Sequence, residues 1–150
     1  MKVSEVIAGQ RVLTVRIDQS MGHAADIMRD HHVTGVPVVD EWGVLAGLVT
    51  TGIVGDVMRE SAPRGLPSDP AWHPATRAVP GAAVDWRNVS VRDVMVTDLC
   101  TVNVGDDVRV AAQALINRNV HRAIVLGPDR NVAGVVSALD FTLLVAEGRH

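Results

Sequence analysis

The sequence predicts an α+β fold made of two copies of one β-α-β-β-α unit that pack as a single module. The segment LAGLVTTGIV at residues 45–54 recurs 87 positions later as VAGVVSALDF at residues 132–141. Within each copy, short β-rich runs alternate with segments whose apolar residues follow the helical period. With 150 residues and 47% hydrophobic content, the chain has room for two half-sized units that share a core.

The repeat extends over most of each half of the chain. An offset of 87 aligns Thr14 with Thr101, Ala24 with Ala111, Ala25 with Ala112 and Gly47 with Gly134. The short lead-ins at residues 3–7 and 91–95 match at an offset of 88 instead. The segment between the lead-in and the first strand therefore differs in length by one residue between the two copies.

The elements of each copy follow in order along the chain. RVLTV at residues 11–15 predicts the first strand, and Ser20 is the expected N-cap of a helix, with Asp107 as its counterpart. VPVV at residues 36–39 and VLAGLV at residues 44–49, joined by the turn DEWG, predict a strand pair, and a second helix opens at Thr50. The inward faces of the first helices are Met21, Ala24, Ala25 and Met28 in one copy and Val108, Ala111, Ala112 and Leu115 in the other.

Residues 59–88 are predicted to link a first repeat at 1–58 to a second at 89–150. Five of the seven prolines lie in this segment, so it is not expected to hold a regular helix or a central strand. Trp72, Val84 and Trp86 argue against pure disorder. Two interpretations stay open: a linker whose tryptophans anchor it to the fold, or a lid or partner-docking segment.

Composition excludes several classes of partner. Fourteen Lys and Arg against seventeen Asp and Glu leave a net charge of −3, which argues against nucleic acid as the main partner. The sequence contains neither an apolar run of membrane-spanning length nor the apolar core of a secretory signal. We expect a cytoplasmic protein that does not bind membranes.

Ser137 and Asp140 stand where the last strand meets the last helix. A hydroxyl at the N-cap and a carboxylate three residues later form a capping box, which stabilises any helix start. The same junction offers free backbone N–H groups and the positive end of the helix dipole to an anion. A carboxylate there is also suited to accept both hydrogens of a ribose diol. Capping and ligand binding are both compatible with the motif.

Three segments carry a resemblance to a known family. VTGVPVVDEWGVLAGLVTTGIV in the first copy, with DVMVTDLCTV and VHRAIVLGPDRNVAGVVSALDF in the second, resemble the cystathionine-β-synthase (CBS) domain, which occurs as tandem pairs called Bateman modules. The resemblance covers the chain outside the proline-rich linker. It implies a pseudo-symmetric pair, usually a disc-shaped homodimer, with adenosine nucleotides or related ligands in clefts between the repeats.

The resemblance to the regulatory γ subunit of AMP-activated kinase implies roles for individual residues. Asp140 would bind ribose, and Ser137 and Arg122 would bind phosphate, with His121 as a further phosphate contact. The base wall falls on Val12, Leu13, Val33, Thr34 and Pro37. Alternatives are a surface salt bridge for Arg122, capping alone for Asp140, and a packed or solvent-facing role for His121.

The pseudo-symmetric cleft lacks both polar anchors. Ile53 stands at the position of Asp140 and Gly35 at that of Arg122, which leaves only Thr50. We therefore expect one competent nucleotide site per chain and a degenerate second one. Two departures from the family pattern are Ile124, where the first copy has Pro37, and Leu139, at a position that is often polar.

The remaining polar residues indicate no catalytic or metal site. His31 and His32 are expected to contact the C-terminal end of the first helix, and His23 is too far from them for metal-ligand spacing. Cys100 is expected to be a small buried residue in the first strand of the second copy, and as the only cysteine it forms no internal disulfide. No catalytic motif follows any strand.

Three functional hypotheses remain. The leading one is a regulatory module that senses AMP, ADP, ATP, S-adenosylmethionine or NAD in one cleft and signals to an unidentified partner protein, as a homodimer. The second is a ligand-independent interaction scaffold with vestigial clefts. The third, an enzyme, would need an acid/base pair that converges in a pocket, and we do not expect one. No obligatory cofactor is expected.

Overall fold

The computed structural model describes residues 1–61 and 85–149. The first repeat comprises α1 (Val3–Val6), β1 (Val15–Arg16), α2 (Met21–Asp30), β2 (Gly35–Val39), β3 (Leu45–Thr50) and α3 (Thr51–Ser61). The second comprises α4 (Val91–Val94), β4 (Thr101–Asn103), α5 (Val108–Arg118), β5 (Arg122–Leu126), β6 (Val132–Ser137) and α6 (Ala138–Ala146). Short 3-10 helices lie at Trp86–Asn88 and Pro128–Arg130.

Each repeat carries one three-stranded sheet. The first strand pairs parallel with the second, which pairs antiparallel with the third, in the orders β1-β2-β3 and β4-β5-β6. The registers are equivalent, since Gly35 faces Thr50 in one sheet and Arg122 faces Ser137 in the other. The predicted β-α-β-β-α order and the doubled α+β fold are confirmed.

The first helix of each repeat begins at the predicted cap. The Ser20 hydroxyl accepts a hydrogen bond from the backbone N–H of His23 at 3.2 Å. The Asp107 carboxylate accepts one from the N–H of Arg109 at 2.9 Å. This bond is the main reason why the pKa of Asp107 lies below its ordinary value of 3.8.

Two strand predictions need correction. RVLTV was expected to form the first strand, but β1 holds only Val15 and Arg16, because only these residues have partners in β2, at Val38 and Val39. Cys100 lies just before β4 rather than inside it. It is buried as expected, and burial raises the pKa of its thiol.

The ends of the predicted linker belong to the folded repeats. The α3 helix continues through Arg59 to Ser61, beyond the predicted boundary at 58. Trp86 packs against the first-repeat core, and Arg87 donates a hydrogen bond to Asp26 of α2 at 2.7 Å, which lowers the pKa of that carboxyl. Trp72 and Val84, for which an anchoring role was considered, lie outside the described residues.

The lead-in helices α1 and α4 each pack against the opposite repeat. The N–H of Val3 in α1 donates to the carbonyl of Asp106 at 2.9 Å, and the N–H of Val91 in α4 donates to that of Gln19 at 3.0 Å. Val3 is fully buried in the second-repeat core, and Val91 is fully buried in the first-repeat core. Each repeat therefore completes the hydrophobic core of the other.

A pseudo-twofold axis relates the two repeats. Val44 and Asn131, which the offset of 87 makes equivalent, pair with each other in an antiparallel bridge. The two hairpins thus meet at the axis. No helix in the described part of the chain is long and apolar enough to cross a membrane.

Candidate functional site

A cavity of about 600 Å³ opens between the repeats. We call it the main cavity. Its first-repeat wall consists of residues 10–13, which precede β1, residues 32–34, which lead into β2, and Gly35 and Pro37 of β2. Its second-repeat wall consists of residues of β6, the start of α6 and residues 121–122. All nine residues predicted to bind a nucleotide line it: Val12, Leu13, Val33, Thr34, Pro37, His121, Arg122, Ser137 and Asp140.

Ser137 and Asp140 form a complete capping box at the start of α6. The Oδ2 of Asp140 accepts from the backbone N–H of Ser137 at 2.7 Å and from its hydroxyl at 2.8 Å. The N–H of Asp140 in turn donates to the Ser137 hydroxyl at 3.4 Å. The Oδ1 of Asp140 forms no hydrogen bond with any described residue. Capping therefore occupies one carboxylate oxygen and leaves the other available in the half-buried wall.

Arg122 reaches across the cavity to the first repeat. It begins β5 directly opposite Ser137, so the antiparallel register brings these two side chains together. Its Nη2 donates to the hydroxyl of Thr34 at 2.8 Å. Among the described residues it forms no ion pair, so the salt-bridge alternative does not apply there. The guanidinium retains further N–H donors for a ligand.

Gly35 lies against Arg122 and not in a separate cleft. It was predicted to belong to the degenerate second site, but it lines the main cavity. A Cβ atom built on Gly35 would lie 2.1 Å from Nη1 of Arg122 and 3.3 Å from its Cζ. Gly35, the first-repeat residue equivalent to Arg122, therefore provides the space that the guanidinium of Arg122 occupies.

The other two residues of the predicted second site lie at the start of α3, in what we call the twin cleft. The hydroxyl of Thr50 accepts from the N–H of Ile53 at 3.2 Å and caps this helix. Ile53 packs against the first-repeat core. This helix start thus keeps the cap of its counterpart but has no carboxylate at the equivalent position.

The backbone also differs between the main cavity and the twin cleft. On the twin side, Leu48 of β3 and Val96 exchange two main-chain hydrogen bonds of 2.9 Å. On the main side, the equivalent Val135 is held by the side chain of Gln10, whose Nε2 donates to its carbonyl at 3.1 Å. The one-residue slippage between the lead-ins falls at this point. The backbone at Gln10 is therefore separated from β6 by the Gln10 side chain, and this separation leaves room for the cavity.

Three polar residues of the main cavity were missed from the sequence. Gln10, Arg11 and His32 line it. His31 alone contacts the end of α2, through its Nδ1 and the carbonyl of Ile27 at 3.0 Å, whereas His32 takes a left-handed φ of 54° and turns to the cavity. The only available signal for Arg11 was its place directly before the predicted base wall.

The charge of the cavity is opposite to that of the whole chain. Arg11 and Arg122 line it with a single carboxylate, Asp140, and neither arginine forms an ion pair within residues 1–61 and 85–149. The net charge of the protein is −3. The described residues contain no group of three or more His, Cys, Asp or Glu able to hold a metal ion. The arrangement offers an acceptor, two guanidinium groups and an apolar slot.

A family model for the CBS domain matches residues 3–52 and 91–147, one match in each repeat. The chain belongs to the CBS domain family. This CBS domain pair is a module of regulatory rather than catalytic type. The two matched ranges contain all nine residues that were predicted to bind a nucleotide.

Solved structures share this fold over almost the whole chain. The CBS domain pair of protein MJ0100, in complex with 5'-methylthioadenosine and S-adenosyl-L-methionine, superposes with a TM-score of 0.73 at 18% identity and covers 99% of this chain and 98% of its own. The protein CBSX2 in complex with AMP gives 0.72 at 17% identity, with coverage of 99% and 98%. The CBS domain of a membrane protein from Sphaerobacter thermophilus gives 0.72 at 22% identity, with coverage of 96% and 87%.

One curated relative matches a shorter part of the chain. Homoserine O-acetyltransferase from Methanohalophilus mahii is 36% identical over 55 residues. These residues make up 35% of this chain and only 11% of that enzyme. The likeness is therefore limited to a small part of the enzyme's length.

Proposed function

We propose that this CBS domain pair is a regulatory module that binds one adenosine nucleotide per chain in the main cavity. The observation that carries the proposal is that nine residues, chosen from the sequence through its resemblance to the family, line one cavity between the repeats. The solved relatives that bind 5'-methylthioadenosine, S-adenosyl-L-methionine or AMP support the ligand class.

Each part of the nucleotide has a suitable partner. The free Oδ1 of Asp140 accepts from the ribose diol. Arg122, the Ser137 hydroxyl and the N-terminal end of α6 receive the phosphate, because guanidinium and helix dipole both favour negative charge. The base enters the slot formed by Val12, Leu13, Val33, Thr34 and Pro37, where apolar contacts dominate.

The charge of the cavity favours a phosphorylated ligand. Arg11 and Arg122 outnumber Asp140, so a nucleotide phosphate gains attraction that the sulfonium and ammonium groups of S-adenosylmethionine do not. AMP, ADP and ATP therefore rank above S-adenosylmethionine. NAD, which carries two phosphates and an adenosine, remains compatible with the same contacts.

Signalling follows from the position of the ligand. The cavity has walls from both repeats, so a bound nucleotide stabilises the arrangement of the repeats that fits it best. A partner protein that distinguishes two such arrangements would read the nucleotide level through this coupling. Action in the cytoplasm is part of the proposal, since the unpaired Cys100 is typical of a reducing compartment.

A homodimer is also part of the proposal. The outer face of the second repeat, formed by α5 and α6, exposes more than half of the surface of Ile116, Leu143 and Val145. Contiguous exposed apolar residues mark interaction surfaces. A second copy would cover this face with an identical apolar face, as twofold symmetry requires.

One observation favours the ligand-independent scaffold as a second candidate. The capping box of Ser137 and Asp140 is complete without any ligand. If stabilising α6 were the only role of these residues, the main cavity would bind no nucleotide. The module would then act through its surfaces alone.

Calorimetric titration separates the two candidates. AMP, ATP and S-adenosylmethionine are titrated into the wild-type protein, freed of co-purified ligand, and into Asp140→Ala. We expect about one AMP or ATP site per chain, weakened at least about tenfold in the variant because a charged hydrogen-bond acceptor is lost. Absence of binding to folded wild-type protein would favour the scaffold. Equal affinity in wild type and Asp140→Ala would contradict the ribose contact proposed for Asp140.

A further inference from the structure

Gly35 is the residue that sets the position of Arg122. The strand β2 that contains it continues through Val36, Pro37 and Val38, all buried. A β-branched side chain would suit such a strand better than glycine. The φ of Gly35 lies outside the left-handed region. Backbone freedom therefore does not account for a glycine at this position.

Space does account for it. A Cβ on Gly35 would lie 2.1 Å from Nη1 of Arg122, far inside the contact distance of two heavy atoms. Even the methyl group of alanine cannot coexist with Arg122 in this position. The guanidinium, at the flexible end of the Arg122 side chain, would have to shift from the position in which its Nη2 donates to Thr34 at 2.8 Å.

The repeat explains why these two residues meet. Positions 35 and 122 are equivalent under the offset of 87 and start the central strands β2 and β5. The pseudo-twofold axis brings them face to face. Two arginines at these positions would bring two like charges close together, at a cost in electrostatic energy. In this chain the glycine at position 35 avoids that repulsion and leaves the space to Arg122.

We propose that Gly35 is a positioning residue for phosphate recognition: it provides the space in which Arg122 crosses to Thr34 and directs its remaining N–H groups into the main cavity. The residue that leaves the twin cleft without an arginine is therefore the residue that makes room for Arg122 in the main cavity. This inference rests on the proposed function for its ligand, but its structural part is independent of any ligand.

The first test compares Gly35→Ala with a matched control. Gly127 also has an extended backbone, with φ −87° and ψ −168°, and a Cβ there would meet its nearest atom at an ordinary 3.7 Å. AMP and adenosine are titrated into both variants. We expect Gly35→Ala to weaken AMP about tenfold or more while adenosine changes less than about twofold, because only the charged contact is displaced. Gly127→Ala should change neither.

The second test is a double-mutant cycle with Arg122→Ala. If Gly35 acts through Arg122, Gly35→Ala has no further effect on AMP affinity once Arg122 is removed. The same four proteins are unfolded with urea without ligand, where the two substitutions should again be non-additive. If Gly35→Ala fails to fold, the double variant should fold, because the clashing side chain is gone.

The outcomes separate this inference from the proposed function. If folded wild-type protein binds neither AMP nor adenosine, the proposed function fails, and the cycle in urea still decides the role of Gly35. Additive effects in both cycles, equal losses for AMP and adenosine, or a double variant no better folded than Gly35→Ala would overturn the inference.

Discussion

At the scale of single residues, the two repeats keep the same helix cap but differ in what surrounds it. Ser137 caps α6 and lines the main cavity, whereas Thr50 caps α3 next to Ile53, which is partly buried against the first-repeat core. Ser137 and Thr50 therefore allow the two roles of a hydroxyl at this junction, helix capping and ligand binding, to be tested separately. One residue is a cap with access to a ligand, and the other is a cap alone.

The first prediction uses this pair. Ser137→Ala and Thr50→Ala each remove a side-chain cap, so each should lower the free energy of unfolding by about 0.5–2 kcal/mol, measured by urea denaturation. Only Ser137→Ala should also weaken AMP binding in calorimetry. An equal loss of affinity in Thr50→Ala would mean that stability, and not phosphate contact, underlies the effect.

The second prediction concerns pH. The lowered pKa of Asp107 means that its charged form is favoured in the folded state, chiefly by the Arg109 N–H. This contribution is present above pH 3.8 and disappears as the pH falls through the lower folded pKa. Asp107→Asn should therefore be less stable than wild type at neutral pH, and the difference in unfolding free energy should shrink below about pH 4. A difference that stays constant with pH would contradict this.

At the scale of elements, the exchanged lead-ins are the main link between the repeats. The helices α1 and α4 contain four residues each and are too short to be stable in isolation. Their stability comes from burying Val3 and Val91 in the opposite core. We therefore expect these short elements to couple the folding of the two halves.

The third prediction tests this link. Val3→Ala and Val91→Ala should each destabilise the protein by about 1–3 kcal/mol, because each leaves a void in a core formed by both repeats. Unfolding should remain a single transition when followed by circular dichroism and by tryptophan fluorescence. Val110→Ala, at an exposed position of α5, is the control and should change stability by less than about 0.5 kcal/mol. Separate transitions for the two repeats would show that the lead-ins do not couple them.

At the scale of the whole molecule, equivalent outer faces of the two repeats differ in polarity. Ile116 and Leu143 on the second repeat correspond under the offset of 87 to Arg29 and Asp56 on the first, whereas Val145 corresponds to the apolar Met58. A head-to-tail dimer would press the apolar face against charged groups and remove them from water at a cost. A head-to-head dimer pairs apolar with apolar, so we expect this orientation.

The fourth prediction measures that orientation. Glu60 and Glu147 are exposed and equivalent under the same offset, and each is changed to cysteine in a Cys100→Ala background and spin-labelled. In a head-to-head dimer, distances between identical sites should be shorter than the distance between label 60 of one chain and label 147 of the other. The reverse order would indicate head-to-tail pairing, and absence of any intermolecular distance would contradict the dimer.

Sequence and structure contributed differently to the candidate site. The nine residues of the main cavity were predictable because the repeat offset and the resemblance assign each of them a position within a copy. Arg11 and His32 were not, because their roles depend on where a loop turns relative to the other repeat. Gly35 was predicted as part of the degenerate second site because the sequence shows only that an arginine is absent there. Its contact with Arg122 in the main cavity depends on how the repeats pack.

By itself, the sequence determined the order of the elements, the caps at Ser20 and Asp107 and the doubled architecture. These depend on interactions within a few residues along the chain and on an internal repeat, both of which are readable from residue spacing. Only the tertiary structure decided that the lead-ins are exchanged, that the Arg122 side chain lies against Gly35, and that the nine predicted residues line one cavity. Those features arise where residues far apart in the chain meet between the repeats, as Val91 meets Gln19 and Gln10 meets Val135, and their contacts depend on how the two repeats pack.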